Sequence, residues 1–238
     1  MTKTELKEFL DAKVIQYNNP IFIESDPIQI PHQFSLKEDI EISAFLTATI
    51  AWGNRKMIIK NAHRMMNLLG NSPYDFIMQH NDNQLDNLNS FVHRTFNPID
   101  FSFFIKSLKN IYQNHNGLEA IFVKNAENDS LQNAIHHFKK VFFEIEHPHR
   151  TQKHISDPLK NSAAKRINMF LRWMVRNDQT GVDLVFGRHY LHRSFLVRLT
   201  YILEMLVGNW VYFTENKMMP KHYLNSTPIL EKWMLMIL

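Results

Sequence analysis

The chain has 238 residues, 45% of them hydrophobic and 21% charged, with a formal net charge of +4 and thirteen histidines. That balance fits a folded chain able to bury a large core, as one domain or two small lobes, and excludes a disordered one. The slight basic excess favours anionic partners. Cysteine is absent, which removes disulfides, cysteine-ligated zinc, iron–sulfur clusters and thiol nucleophiles.

The opening MTKTELKEFLDAKV carries charges throughout and reads as an amphipathic helix over residues 5–17, not as a secretory signal. Residues 18–33 hold Pro20, Pro27 and Pro31 and read as an extended connection. Ser35-Leu36-Lys37-Glu38 has the pattern of a capping box. The helix it opens runs through Ile50 to Trp52, and its interior ISAFLTATIAW is apolar nearly all round, as a central buried helix requires. Gly53 is a natural stop and Asn54 a natural cap. In residues 55–69, Ile58, Ala62, Met65 and Leu69 face inward, while Lys56, Lys60 and Arg64 form a basic stripe at i, i+4 and i+8.

A short helix follows Ser72-Pro73, residues 81–87 read as a surface turn, and residues 100–112, 117–123 and 129–145 as helices. Residues 147–157 form a polar link to the stretch 161–176, NSAAKRINMFLRWMVR. There Ser162 is the predicted N-cap, and Ile167, Phe170, Leu171 and Met174 make one apolar face. Lys165, Arg172 and Arg176 fall on the opposite side, flanked by Arg166 and Trp173. A row of cations with an indole beside it suits a polyanion. No period-2 strand and no internal repeat is evident, so the fold class is all-α.

His136 and His137 are adjacent and point apart on a helix, and His147, His149 and His154 lack a metal-ligand spacing. Asp39 and Glu41 suit the positive end of their helix. No dinucleotide fingerprint, P-loop or nucleophile elbow occurs. No cofactor and no metal is expected. Residues 195–213 are apolar but include Arg198 and Glu204, which makes a poor membrane span; a cytoplasmic protein is the expectation. Lys165 is the one candidate nucleophile. In the first turn of its helix, beside Arg166, a further cation is disfavoured, and an amine must be neutral to attack.

The runs NNPIFIESDPIQIPH, EDIEISAFLTATIAWGNRKMIIKNAHRMM, FVHRTFN and SAAKRINMFLRWMVRNDQTGVDL resemble a bacterial family of conserved hypothetical proteins. The resemblance to that family is close and covers about residues 1–184, and the family in turn is remotely similar to the helix-hairpin-helix DNA glycosylases of the 8-oxoguanine type. It implies a multi-helix bundle of that fold, incomplete at the C-terminus, with double-stranded DNA as partner. It also implies that Lys165 attacks the sugar C1′ of an extruded nucleotide, that residues 157–162 stand where the hairpin would be, and that Arg166, Arg172, Arg176, Lys56, Lys60 and Arg64 contact phosphate. Two departures stand out. The hairpin has no glycine, and the assisting aspartate, expected in a Pro-x-Asp-x-His run, never appears.

Composition changes at the same point: residues 184–238 lack Ala, Asp and Gln. Loss of one nucleotide near the codons for Leu184 and Val185 accounts for this, because residues 197–202 can be re-read in the neighbouring frame as Pro-Leu-Asp-Val-His. The expected organisation is a helical domain over residues 1–183 and an aberrant tail over 184–238. Three functions then compete: a truncated, inactive relative of base-excision glycosylase/lyases; a non-enzymatic helical module for nucleic acid or protein; and a plain fold with solvated cationic faces.

Overall fold

The computed structural model describes residues 3–126, 131–176 and 179–184. The tail on which the frame-change expectation rests lies outside these residues. Among the described residues the chain is all-α, with nine α-helices, several 3-10 turns, no strand and one isolated bridge, His93 to Phe96.

Helix α1 (Lys3–Tyr17) leads into three 3-10 turns, Pro20–Ser25, Pro27–Gln29 and Pro31–Gln33, where the sequence suggests an extended link. The prolines are the reason. Each occupies the first position of its turn, where no amide hydrogen is needed. Asn19 and Asp26 cap the first two turns by accepting the amides of Ile21 and Ile28.

Helix α2 (Lys37–Ile50) buries every residue from Ile40 to Ile50. The anticipated capping box is not formed: Leu36 holds the cap position and no side chain caps the helix. The chain leaves α2 through Ala51 and Trp52, turns at Gly53 (φ 108°) and enters α3 (Arg55–Leu68), capped by Asn54 accepting the Met57 amide at 3.2 Å. Helix α4 (Pro73–Gln79) is tied to α2 by the Tyr74 amide, which donates to Asp39 at 2.8 Å. The predicted surface turn contains a short helix, α5 (Asp82–Asp86), opened by an Asn81–Gln84 capping box.

A second capping box, Asn97 with Asp100, starts α6 (Pro98–Asn114). Helices α7 (Gly117–Lys124) and α8 (Leu131–Phe142) follow, the predicted polar link contains a 3-10 turn at His149–His154, and another lies at Pro158–Lys160. Helix α9 (Lys165–Val175) then packs along α2. It runs antiparallel to α2, since Phe170 meets Phe45 (ring centroids 5.7 Å apart) while Arg166 reaches Thr49. Ile167, Phe170, Leu171 and Met174 are buried, as their spacing requires.

Phe45 is the meeting point of the core. Its ring lies 5.9 Å from Phe104 of α6, 5.5 Å from both Phe138 and Phe142 of α8, and 5.7 Å from Phe170 of α9. Aromatic rings at these separations add attraction to the area they bury. Replacing Phe45 with Ala is therefore expected to lower the unfolding free energy by about 3–5 kcal/mol, read as a lower urea midpoint at unchanged slope.

Candidate functional site

The cations of α9 divide into exposed and anchored groups. Lys165 is the first residue of α9 and is exposed. Arg166 turns inward: its Nη1 donates to the Thr49 carbonyl at 2.5 Å, and its guanidinium lies 4.8 Å from the Trp52 ring centroid. Burial lowers the pKa of Arg166 from its ordinary value. At the far end of the helix Arg176 is buried, with Nη1 3.5 Å from Asp183 Oδ2. Arg172, half-exposed, points Nη2 at the same oxygen from 3.6 Å. Trp173, expected to flank the cationic row, is instead 4% exposed; the returning chain covers this part of the helix, with the Leu184 amide donating to the Trp173 carbonyl at 2.8 Å.

The α3 stripe is exposed throughout. Lys56 and Lys60 reach solvent, and Arg64 Nη2 donates to the Ser90 carbonyl at 2.8 Å. Because Arg166 rests on Trp52, the start of α9 lies beside the start of α3. Both basic elements therefore pack at the C-terminal end of α2.

A polar cluster that no local sequence pattern marks lies beneath this corner. His93 is buried against Trp52 (ring centroids 5.1 Å, nearly perpendicular), and Asn61 of α3 contacts its Nδ1 at 2.8 Å. Burial lowers the pKa of His93, with Arg94 adding to the shift and the Trp52 main chain opposing it. Asp100 is fully buried, and its Oδ2 lies 3.1 Å from Arg150 Nη1 and 3.2 Å from His154 Nε2. Burial likewise lowers the pKa of His154, against the pull of Asp100. Asp100 thus caps α6 and fastens the 149–154 turn at once. The Asn97-Pro98-Ile99-Asp100 pattern is the readable signal for the cap; the pairing with His154 depends on distant chain segments meeting.

The turn before α9 is built around Asp157, which is 6% exposed. Its Oδ1 meets His136 Nδ1 of α8 at 2.9 Å and accepts the Leu159 amide at 3.1 Å. His136 and its neighbours lower the Asp157 pKa against the opposing effect of burial, the largest single influence. Lys139 of α8 donates to the Ile155 carbonyl at 2.7 Å. Ser162 is not the N-cap. Ala164 occupies that position in a left-handed conformation (φ 45°), and the Ser162 hydroxyl accepts the Ala164 amide at 3.2 Å, which delays α9 until Lys165. Asn161 (φ 59°) supplies the other left-handed residue, so the turn closes without glycine.

No group of three or more His, Cys, Asp or Glu side chains able to hold a metal occurs among the described residues. No described helix is long and apolar enough to cross a membrane. His147, in the histidine-bearing loop after α8, contacts the Ile145 carbonyl at 2.9 Å and Gln152 at 2.8 Å.

These features define an all-α, multi-helix protein with a cationic corner and no assembled metal centre among the described residues. Residues 26–199 match the model of the family described as "Protein of unknown function (DUF2400)", and the chain belongs to that family. No curated protein and no solved structure matches the chain.

The two kinds of cation separate by stability. Arg166→Ala removes a hydrogen bond, a ring contact and packed methylenes, and is expected to cost about 2 kcal/mol. Lys56→Ala and Lys60→Ala should each stay within about 0.5 kcal/mol of the parent. Urea unfolding of the three single variants checks both expectations.

Proposed function

We propose that this chain is a non-enzymatic helical module that binds nucleic acid, double-stranded DNA in the first instance, through the exposed cations of α3 and the start of α9. The observation that carries the reading is that Lys56, Lys60 and Lys165 are exposed and form no ion pair among the described residues. Long, unengaged ammonium groups can follow a phosphate backbone and release its counterions. Arg64 belongs to the same surface. Arg166, Arg172 and Arg176 contribute positive potential, while a hydrogen bond to Thr49 and ion pairs with Asp183 already engage them.

Affinity for a mixed-sequence duplex should fall steeply with salt. In the Lys56→Ala/Lys60→Ala/Lys165→Ala variant the log–log slope should be shallower by about 2–3, at about 0.9 for each phosphate no longer neutralised. Binding without salt dependence, or an unchanged slope in the variant, overturns the reading.

A second reading follows the likeness to base-excision glycosylase/lyases and is favoured by one observation: the Lys165 amine is exposed at the first residue of α9, directly after the Asp157 turn. There Lys165 attacks C1′, the base departs, and a Schiff base forms on the opened sugar. On this reading the helical domain ends at residue 183, and the shifted frame after Leu184 removes the assisting aspartate, leaving the chain inactive. The gene's nucleotide sequence across the Asp183–Leu184 codons tests the frame. In a frame-restored chain, borohydride should trap a covalent adduct on damaged duplex that Lys165→Ala abolishes. No adduct across a panel of lesions sinks the catalytic reading and leaves the binding one standing.

A further inference from the structure

One buried ionisable group joins three helices toward the N-terminal end of α2, away from the cationic corner. Glu41, in the second turn of α2, is 2% exposed. Its Oε2 accepts the hydroxyl hydrogen bond of Tyr112 from α6 at 2.8 Å. Its Oε1 lies 3.7 Å from the Lys37 ammonium, one turn earlier on α2, and has no hydrogen-bond partner among the described residues. The same ammonium contacts Glu119 Oε2 in the first turn of α7. Glu119 Oε1 is also buried without a hydrogen-bond partner among the described residues. Tyr112 is held close to α7 by Gly117 (φ 89°), where an added Cβ would meet the phenol ring at 3.0 Å. Tyr74 of α4 packs edge-on against Tyr112 at 5.3 Å. The charges acting on Glu41 are therefore Lys37 in attraction and Glu119 and Glu38 in repulsion, while Tyr112 and Tyr74 are the titratable groups packed there from α6 and α4.

We propose that Glu41, Lys37, Tyr112 and Glu119 form a proton-operated latch, which clamps α6 and α7 to α2 while Glu41 is protonated and loosens when Glu41 ionises. The reason is a count of charges. One ammonium serves two carboxylates, in a joint where two carboxylate oxygens already lack hydrogen bonds. With Glu41 neutral, Lys37 serves Glu119 alone, and the Tyr112 hydroxyl keeps its acceptor. With Glu41 ionised, a second buried anion competes for the same cation, and opening the joint to water relieves it.

Burial is the main cause that raises the Glu41 pKa from 4.5 to about 7, with Glu119 and Glu38 adding and Tyr112 and Lys37 opposing. A folded-state pKa above the open-state value means that the closed joint is fully favoured below about 4.5 and is progressively lost as pH rises through about 7.

Hydrogen exchange of the full chain at pH 6 and pH 8, corrected for intrinsic rates, tests the latch. Opening of α7 and the last turn of α6 should be about tenfold more frequent at pH 8. Glu41→Gln, which keeps an acceptor for Tyr112 and cannot ionise, should abolish the difference. Equal protection at the two pH values, the same rise in Glu41→Gln, or a rise spread evenly over α3 and α9 overturns the proposal. Carboxyl carbon NMR of Glu41 in the unaltered protein gives a readout independent of the variant's folding. A midpoint near 7 supports the latch, and one near 4.5 overturns it.

Discussion

The ring of Phe45 touches rings from α6, α8 and α9 at once, and the remaining elements fall into place around that contact. A helix can receive neighbours on so many sides only when its own side chains are apolar or small on every face, as in the buried run from Ile40 to Ile50. The small residues Ser43, Ala44, Thr47 and Ala48 let other helices approach, and α3, α4 and α9 all pack on α2. The cost of this arrangement falls on polar groups carried within the helix. Ser43 solves it locally, donating to the Ile40 carbonyl at 3.1 Å. Glu41 has no such local solution and borrows partners from α6 and from its own first turn.

The position of α2 also sorts the surface cations. Arg166 faces the C-terminal end of α2, where the Thr49 carbonyl lacks a partner further along the helix and the Trp52 ring offers a flat face. A planar guanidinium can meet a carbonyl and a ring together. Lys165, one residue earlier and about 100° round the helix, points away from that contact and remains exposed. The same logic takes Arg176 inward to Asp183 and leaves Lys56 and Lys60 outward on α3. Net charge alone cannot separate these classes. What matters for a polyanion is the subset of cations not already engaged by the fold.

Two polar joints therefore sit at opposite ends of α2. At the C-terminal end, Trp52 packs against His93, His154 and Arg166, and His154 pairs with Asp100 beneath the cationic corner. At the N-terminal end, Glu41, Lys37, Tyr112 and Glu119 connect α2 to α6 and α7. The first is built from histidines that burial keeps toward the neutral form and a single carboxylate. The second crowds two carboxylates around one ammonium, so the two ends respond differently to protons.

Local chemistry makes much of the helical framework legible. The all-α class, the buried α2, the Asn54 cap and the inward set Ile58, Ala62, Met65 and Leu69 follow from periodicity and cap residues, which act within one or two turns. The proline-led stretch misleads, because proline at the first position of a 3-10 turn looks in sequence like proline that forbids a helix. Ser162 has the chemistry of a cap, yet the left-handed Ala164 moves the helix start to Lys165. The pairings His136–Asp157, Arg166–Trp52, Asp100–His154 and Arg176–Asp183 bring their side chains together through backbone geometry that no local pattern encodes. Which faces are apolar and which residues are cationic can be read along the chain, because side-chain chemistry and helical period are local. Which cations are engaged and which carboxylate is trapped follow from the packing of the helices, because burial and charge pairing arise when distant segments meet.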